Sequence, residues 1–244
     1  MKRRTASKAP RSRPDVAQRH VAFAAASALL RYPDEALLED LPLITTATGQ
    51  LPRSVQRGLG QVCEHLSGNP LLDSQAHYVA TFDLKRRCCL HLSYYLNGDT
   101  RRRGTALWRF QDVYRQAGRH VQNGELPDYL PVLLEFAATG GEVPAIELIE
   151  EHRAGIYVLI EALDELGSPY AGAVRAVDSL LPTFDLHLAA KAVRLAREGP
   201  PSELVGIDAG EAFDPYGKQS PCNGSAPGGS PEPVPVRIGG PVTK

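Results

Sequence analysis

The sequence predicts an all-α protein with the fold of a single-domain helical bundle, and three observations support this. Apolar residues recur at spacings of three and four along the middle of the chain, as on one face of a helix. Runs in which Val, Ile or Thr alternate with polar residues, typical of β-hairpins, are missing. Prolines stand where first helical turns would begin, a position that tolerates a missing N–H. These prolines are Pro33, Pro52, Pro127, Pro144, Pro169 and Pro182.

The predicted helices follow one another with short connections, which is typical of antiparallel neighbours in a bundle. The clearest apolar stripes lie at 84–95, 106–121 and 149–163. Shorter helices are expected at 16–31, 34–47, 53–67, 73–82, 129–139, 170–181 and 184–198. We detect no repeat of fixed period, so a solenoid is not expected.

The two ends differ in composition from the middle of the chain. Residues 1–14 carry six Lys or Arg and no acid, and residues 215–244 are rich in Pro and Gly with almost no large apolar side chains. Such segments cannot bury enough apolar surface to offset the entropy of ordering. We therefore predict a disordered basic arm at 1–14, a helical domain at 15–200, a C-terminal extension at 201–214 and a disordered tail at 215–244.

The charge distribution argues against nucleic acid as a partner. Removing the six cations of the arm from the net charge of −1 leaves −7 on the rest of the chain. An acidic body is opposite to the footprint of a general nucleic-acid binder. A nucleic-acid or scaffold protein that uses the basic arm is therefore a less favoured hypothesis.

The apolar run at 21–30 bears on location. It is too short to span a bilayer, so no direct membrane insertion is expected. A basic leader before such a run has the outline of a signal peptide. However, the Arg3–Arg4 pair lies far from the run, and the run continues into a predicted helix. We therefore expect a cytoplasmic protein.

Known catalytic and metal-binding patterns are missing from the sequence. Cys63, Cys88, Cys89 and Cys222 contain no C-x-x-C pair, and no H-E-x-x-H, Walker A or G-x-S-x-G pattern occurs. We predict no catalytic residue, no metal site and no stably bound cofactor. A helical metal-binding or enzymatic bundle protein is kept as the alternative.

One segment, 73–104, concentrates aromatic and charged side chains. Tyr78 and Phe82 are four residues apart, on one helix face, and Tyr94 follows with Tyr95. Asp83, Arg86 and Arg87 lie between these aromatic residues. The segment is either an aromatic core with a solvated basic loop, or a groove in which aromatic walls and flanking charges hold a guest.

A second segment, 125–136, contains a predicted helix start. Pro127 and Asp128 precede an apolar run, so Asp128 is expected to interact with the exposed N–H groups and the positive dipole end of that helix. Glu135 falls on the same mostly apolar helix, where a carboxylate needs a cation or solvent. We expect Arg86 or Arg87 to be that cation.

These segments, in this order, resemble those of the nitrate reductase assembly chaperones, the delta subunit branch of the redox-enzyme maturation proteins. The resemblance covers roughly residues 20–190. The matching segments are LRYPD at 30–34, Tyr78-x-x-x-Phe82-Asp83, GDTRRRG at 98–104, ELPDYLP at 125–131 and LEF at 134–136.

The resemblance implies a private chaperone without catalytic activity. Such a protein binds the amino-terminal segment of the catalytic (alpha) subunit of respiratory nitrate reductase in the cytoplasm. It holds that subunit back from the membrane anchor while the molybdenum cofactor is inserted, and it is absent from the final enzyme. Cofactor-biosynthesis proteins are further candidate partners.

The resemblance also implies which residues bind the peptide. By matched position these include Tyr78, Phe82, Pro127 and Asp128. Tyr129 stands where the family usually has His, so a pH-sensitive role of that His does not carry over, because tyrosine stays protonated near pH 7. The complete set of candidate peptide-binding residues is Tyr78, Phe82, Asp83, Arg86, Tyr94, Pro127, Asp128, Tyr129 and Glu135.

Overall fold

The computed structural model describes residues 14–121, 124–182, 190, 193–195 and 198–201. Within the described residues no β-strand occurs, and one isolated antiparallel bridge joins His91 to Tyr129. The all-α prediction is therefore confirmed. Ten α-helices lie between residues 14 and 182: α1 (Val16–Leu29), α2 (Glu35–Thr48), α3 (Arg53–Gly68), α4 (Leu71–Tyr78), α5 (Leu92–Asn97), α6 (Arg101–Gln116), α7 (Leu130–Phe136), α8 (Glu142–Glu151), α9 (Arg153–Glu165) and α10 (Tyr170–Leu180).

Side-chain caps fix the starts of the first two helices. Asp15 accepts a hydrogen bond from the Gln18 N–H at 2.8 Å, and the Gln18 side chain accepts one from the Asp15 N–H. Asp34 accepts a hydrogen bond from the Leu37 N–H at 2.8 Å. Each cap satisfies N–H groups that have no partner inside the helix.

The centre of the bundle is the contact between α3 and α10. A Cβ atom placed on Gly58 would lie 2.2 Å from the carbonyl oxygen of Gly172, so the two helices approach with backbone against backbone. Helix α1 covers α3, α7 and α10 through a face that includes Phe23 and Leu29, both completely buried. This packing brings the end of α1 close to α7, where the candidate site lies.

The prediction of one continuous helix at 84–95 is wrong. Helix α4 continues through a wider π-helical turn, Val79–Asp83, and is followed by a 3₁₀ turn, Arg86–Cys88, before α5 begins. Leu84, expected on the buried face, is 75% exposed. The helix is broken because residues 90–92 form backbone hydrogen bonds with residues 128–130 instead. The Leu92 N–H donates to Asp128 O at 3.0 Å, and the Leu130 N–H donates to Leu90 O at 2.9 Å.

Most other predicted helices overlap the observed ones, although their bounds differ by a few residues. The stripe at 149–163 belongs to two helices, α8 and α9, which meet at His152. The predicted helix at 184–198 lies mostly outside the described residues, as do the predicted basic arm, C-terminal extension and tail. In the part of the chain that the structure describes, no helix combines the length and the apolar character needed to cross a bilayer.

Candidate peptide-binding site

Five aromatic rings from four separate segments form one group, which we call the aromatic cluster: Tyr32, Tyr78, Phe82, Tyr129 and Tyr170. The ring centroids of Tyr78 and Phe82 are 4.7 Å apart, and Phe82 lies 4.9 Å from Tyr170. Tyr32 packs edge-on against Tyr78 at 5.5 Å. The hydroxyl groups of Tyr78 and Tyr129 are hydrogen bonded at 3.0 Å. The predicted pairing of Tyr78 with Phe82 is therefore present and extends to distant parts of the chain.

The cluster has a buried floor and an open top. Tyr78 and Phe82 are almost completely buried, and the Tyr78 hydroxyl also donates to Leu30 O at 3.0 Å. Tyr32 is 47% exposed and Tyr129 is half-buried. One pair of rings therefore belongs to the core and the other pair reaches the surface, and the guest-binding groove of the second alternative stays a prediction.

Sequence reasoning missed Tyr32 and Tyr170 as members of the cluster. Tyr32 lies inside the LRYPD segment that carries the family resemblance, so that signal could have identified it. Tyr170 directly follows Pro169, and nothing nearby in the sequence marks it as a neighbour of Phe82. Two exposed leucines lie near members of the cluster along the chain: Leu84, two residues after Phe82, and Leu126, whose carbonyl accepts the Tyr129 N–H at 3.1 Å.

Tyr78, Tyr129 and Tyr170 remain neutral at physiological pH, because burial raises the pKa of each hydroxyl. Burial raises the pKa of Tyr78 far above its usual value, and the neighbouring Tyr129 hydroxyl raises it further. Burial also raises the pKa of Tyr129; the hydrogen bond with Tyr78 and the charge of Arg31 oppose the rise, whereas Glu125 and Asp83 add to it. These three tyrosines therefore contribute hydroxyl groups and apolar rings, not charge.

Carboxylates surround the open side of the cluster. Asp83, Glu125 and Glu135 are all exposed. Arg31, at the end of α1, forms an ion pair with Glu135 at 2.6 Å and lies 3.9 Å from Glu125. We call these three acids and Arg31 the acidic rim.

The prediction that Arg86 or Arg87 pairs with Glu135 is wrong. Arg87 binds Glu165 on α9 at 2.7 Å, and Arg86 is exposed on the 3₁₀ turn. Arg31 reaches Glu135 because α1 packs on α7. The Glu135 side chain is 59% exposed, so solvent rather than a buried cation satisfies most of its charge.

Asp128 does not cap the helix that it precedes, which corrects the expected helix start. Helix α7 begins at Leu130 without a side-chain cap. The Asp128 carboxylate instead accepts hydrogen bonds from the Ser93 N–H at 3.2 Å and the Ser93 hydroxyl at 2.5 Å. Because Ser93 lies in the first turn of α5, Asp128 caps α5 from a distant segment.

Two further residues complete what we call the Asp128 group, which comprises Asp128, Ser93, His91 and Arg103. His91 Nδ1 lies 3.1 Å from Asp128 Oδ1, and Arg103 Nη2 lies 3.8 Å from Asp128 Oδ2. Burial raises the pKa of Asp128, but hydrogen bonds from His91 and Ser93 and the charges of His91 and Arg103 outweigh it, so the pKa is lower than usual. Because of this lowered pKa, Asp128 is ionised at neutral pH although it is completely buried and does not contact solvent.

The remaining candidate residues pack around this group. The Tyr94 ring is buried beneath the guanidinium of Arg103, 5.8 Å from its centroid. Pro127 is buried, and its carbonyl accepts a hydrogen bond from the Tyr114 hydroxyl at 2.8 Å. The structure thus brings Tyr78, Phe82 and Tyr129 together and places Pro127, Asp128 and Tyr94 behind them. Among the described residues, no three His, Cys, Asp or Glu side chains are placed to hold a metal ion.

Comparisons with known proteins identify the family of the chain. The pattern of the nitrate reductase delta subunit family matches residues 48–176. The chain is 38% identical over 157 residues to the nitrate reductase-like protein NarX of Mycobacterium tuberculosis; this covers 64% of the chain and only about a quarter, 24%, of that relative.

Two shorter relatives are matched over more of their length. The Bacillus subtilis protein named "Probable nitrate reductase molybdenum cofactor assembly chaperone NarJ" is 32% identical, with 63% of this chain and 84% of the relative covered. The nitrate reductase molybdenum cofactor assembly chaperone NarJ of Escherichia coli is 32% identical over 59% of this chain and 63% of the relative. A match of this extent shows that the chain belongs to the nitrate reductase delta subunit family.

Proposed function

We propose that this protein is an assembly chaperone of nitrate reductase. It binds the amino-terminal segment of the apo catalytic (alpha) subunit in the cytoplasm, allows the molybdenum cofactor to be inserted before membrane attachment, and is absent from the final enzyme. The observation that carries the proposal is the aromatic cluster, whose exposed rings lie within the same segments that resemble the family. The names of the NarJ relatives, which are cofactor assembly chaperones, support it.

The surface chemistry fits an amphipathic helix as the guest. Tyr32 and Tyr129 offer aromatic surface above the buried floor of the cluster, and the exposed Leu84 and Leu126 lie near the cluster along the chain. Such a surface accepts the apolar face of a helix, and aromatic side chains supply large contact area at low entropic cost. The acidic rim beside it can pair with a cationic residue or with the amino terminus of the guest.

In this proposal the Asp128 group positions the site and does not contact the guest. The buried carboxylate holds residues 128–130 against residues 90–93, and Tyr129 follows Asp128 directly. The hydroxyl group of Tyr129 is thereby held in hydrogen-bonding contact with that of Tyr78. Preorganised side chains bind more tightly because less motion is lost on association.

The protein is proposed to act without catalysis and without a stably bound cofactor, since the molybdenum cofactor belongs to the client. A helical metal-binding or enzymatic bundle remains the alternative. Metal analysis of the purified protein separates the two, because a resident metal in stoichiometric amount supports the alternative.

Calorimetry with a synthetic peptide copied from the amino terminus of the catalytic subunit tests the proposal. Tyr32→Ala should weaken binding by about 2 kcal/mol, as expected for an interface anchor. Leu43→Ala is the matched control, because Leu43 is a similarly exposed apolar residue on α2. Equal affinities for the wild type and both variants would rule out the cluster as the binding surface.

A further inference from the structure

A groove runs from the acidic rim to the single tryptophan of the chain. It consists of two cavities of about 320 and 590 Å³, which share one wall. The first cavity reaches Arg31 and Glu135, and the second reaches Trp108. We call this surface the α6–α7 groove. Its shared wall is formed by Tyr114, Arg119, His120, Val121 and Glu125.

Trp108 is unusually placed for a tryptophan. It is 59% exposed, whereas tryptophan is on average a highly buried residue. Helix α6 already buries its own apolar face through Phe110 and Tyr114. Packing within the bundle therefore does not account for Trp108. Exposed tryptophans beside arginines are characteristic of interface anchors.

Each cavity is lined by two arginines and two carboxylates. Arg31, Arg119, Glu125 and Glu135 line the first cavity, and Arg115, Arg119, Asp112 and Glu125 line the second. Arg115 pairs with Asp112 on the surface, and Arg119 donates to Thr139 O at 3.1 Å. Exposed contacts of this kind contribute little, so a guest carboxylate can replace them.

We propose that the α6–α7 groove is the second half of the client site, which rests on the proposed function. The amino-terminal segment of the client covers the aromatic cluster, and a cationic side chain of that segment pairs with the carboxylates of the acidic rim. The client chain then continues along the groove and places an apolar side chain on Trp108, with a carboxylate near Arg115 and Arg119. Continuity with the aromatic cluster, through Arg31, Glu125 and Glu135, points to a polypeptide as the occupant.

The test compares two peptides from the amino terminus of the catalytic subunit, both with any tryptophan replaced by phenylalanine. The short peptide covers the cluster, and the long one adds about ten residues at its carboxyl end, enough for ~15 Å of helix. Trp108 emission in the full chain should shift to the blue and become protected from acrylamide with the long peptide only. The long peptide should also bind more tightly than the short one.

Variants locate the additional contacts. Trp108→Ala should weaken binding of the long peptide by about thirtyfold, as for a central anchor, and Trp108→Phe should restore most of it. Arg115→Gln should weaken binding of the long peptide only when that peptide carries the acidic residue that is proposed to lie near Arg115. Arg102→Gln, an exposed arginine on the same helix, is the matched control. Each variant is checked for the wild-type helical content and unfolding midpoint.

The outcomes separate the two proposals. If the short peptide binds but the long one binds no better and leaves Trp108 emission unchanged, the groove is not part of the client site, and the proposed function stands. If neither peptide binds, the proposed function itself is contradicted and the inference falls with it.

Discussion

The aromatic cluster and the Asp128 group are joined through neighbouring residues, yet they differ in contact with solvent. Tyr32 and Tyr129 reach the surface, whereas Asp128 is completely buried and has its oxygens occupied by protein donors. The family resemblance marks both regions as peptide-binding. In the proposed function, the exposed region contacts the guest and the buried one holds the first in place.

The largest expected effect comes from the floor of the cluster. Phe82→Ala should lower the free energy of unfolding by about 4 kcal/mol, because the ring is buried against Tyr78 and Tyr170. Tyr32→Ala, at the exposed top, should change stability by less than about 0.5 kcal/mol while it weakens peptide binding. Urea unfolding and calorimetry on both variants measure this. Equal stability losses would remove the distinction between floor and top.

A substitution in the Asp128 group should lower the free energy of unfolding almost as much. Asp128→Ala leaves the donors of Ser93 and the charge of Arg103 without their buried partner, so we expect a loss of about 3 kcal/mol in urea unfolding. Asp99→Asn is the matched control, because Asp99 binds the same arginine but its side chain is 71% exposed. It should cost less than about 1 kcal/mol. A small effect of Asp128→Ala would contradict a positioning role.

The lowered pKa of Asp128 predicts a pH dependence of stability. A carboxylate whose pKa is lower in the folded than in the unfolded chain stabilises the fold above the unfolded value, here about 3.8. That contribution is lost as the pH falls through the folded pKa. The stability difference between wild type and Asp128→Asn should therefore be present above about pH 4 and narrow below it. Urea unfolding across this range measures it; a difference independent of pH would mean that the charge is unimportant.

The sequence predicted local relations and missed distant ones. The Tyr78–Phe82 pair follows from their four-residue spacing, which survives the widened turn. The capping rule examines only the residues after Asp128, whereas its partner Ser93 lies 35 residues earlier. Similarly, the partner of Glu135 is Arg31, 104 residues away. The helix predicted at 84–95 failed because pairing with residues 128–130 outweighed its apolar periodicity.

The smallest expected effect lies at the acidic rim. Glu135→Gln removes one exposed ion pair with Arg31, so stability should change by less than about 0.5 kcal/mol. Peptide affinity should fall by a similar amount at low salt, because the rim then attracts a cationic guest less strongly, and the difference should vanish near 1 M salt, where the Debye length is only ~3 Å. Calorimetry at two salt concentrations measures this, with Glu39→Gln on the exposed face of α2 as the control. A loss of affinity that persists at high salt would mean that Glu135 binds the guest by a direct, desolvated contact, and the acidic rim would then belong with the buried floor rather than with the open surface.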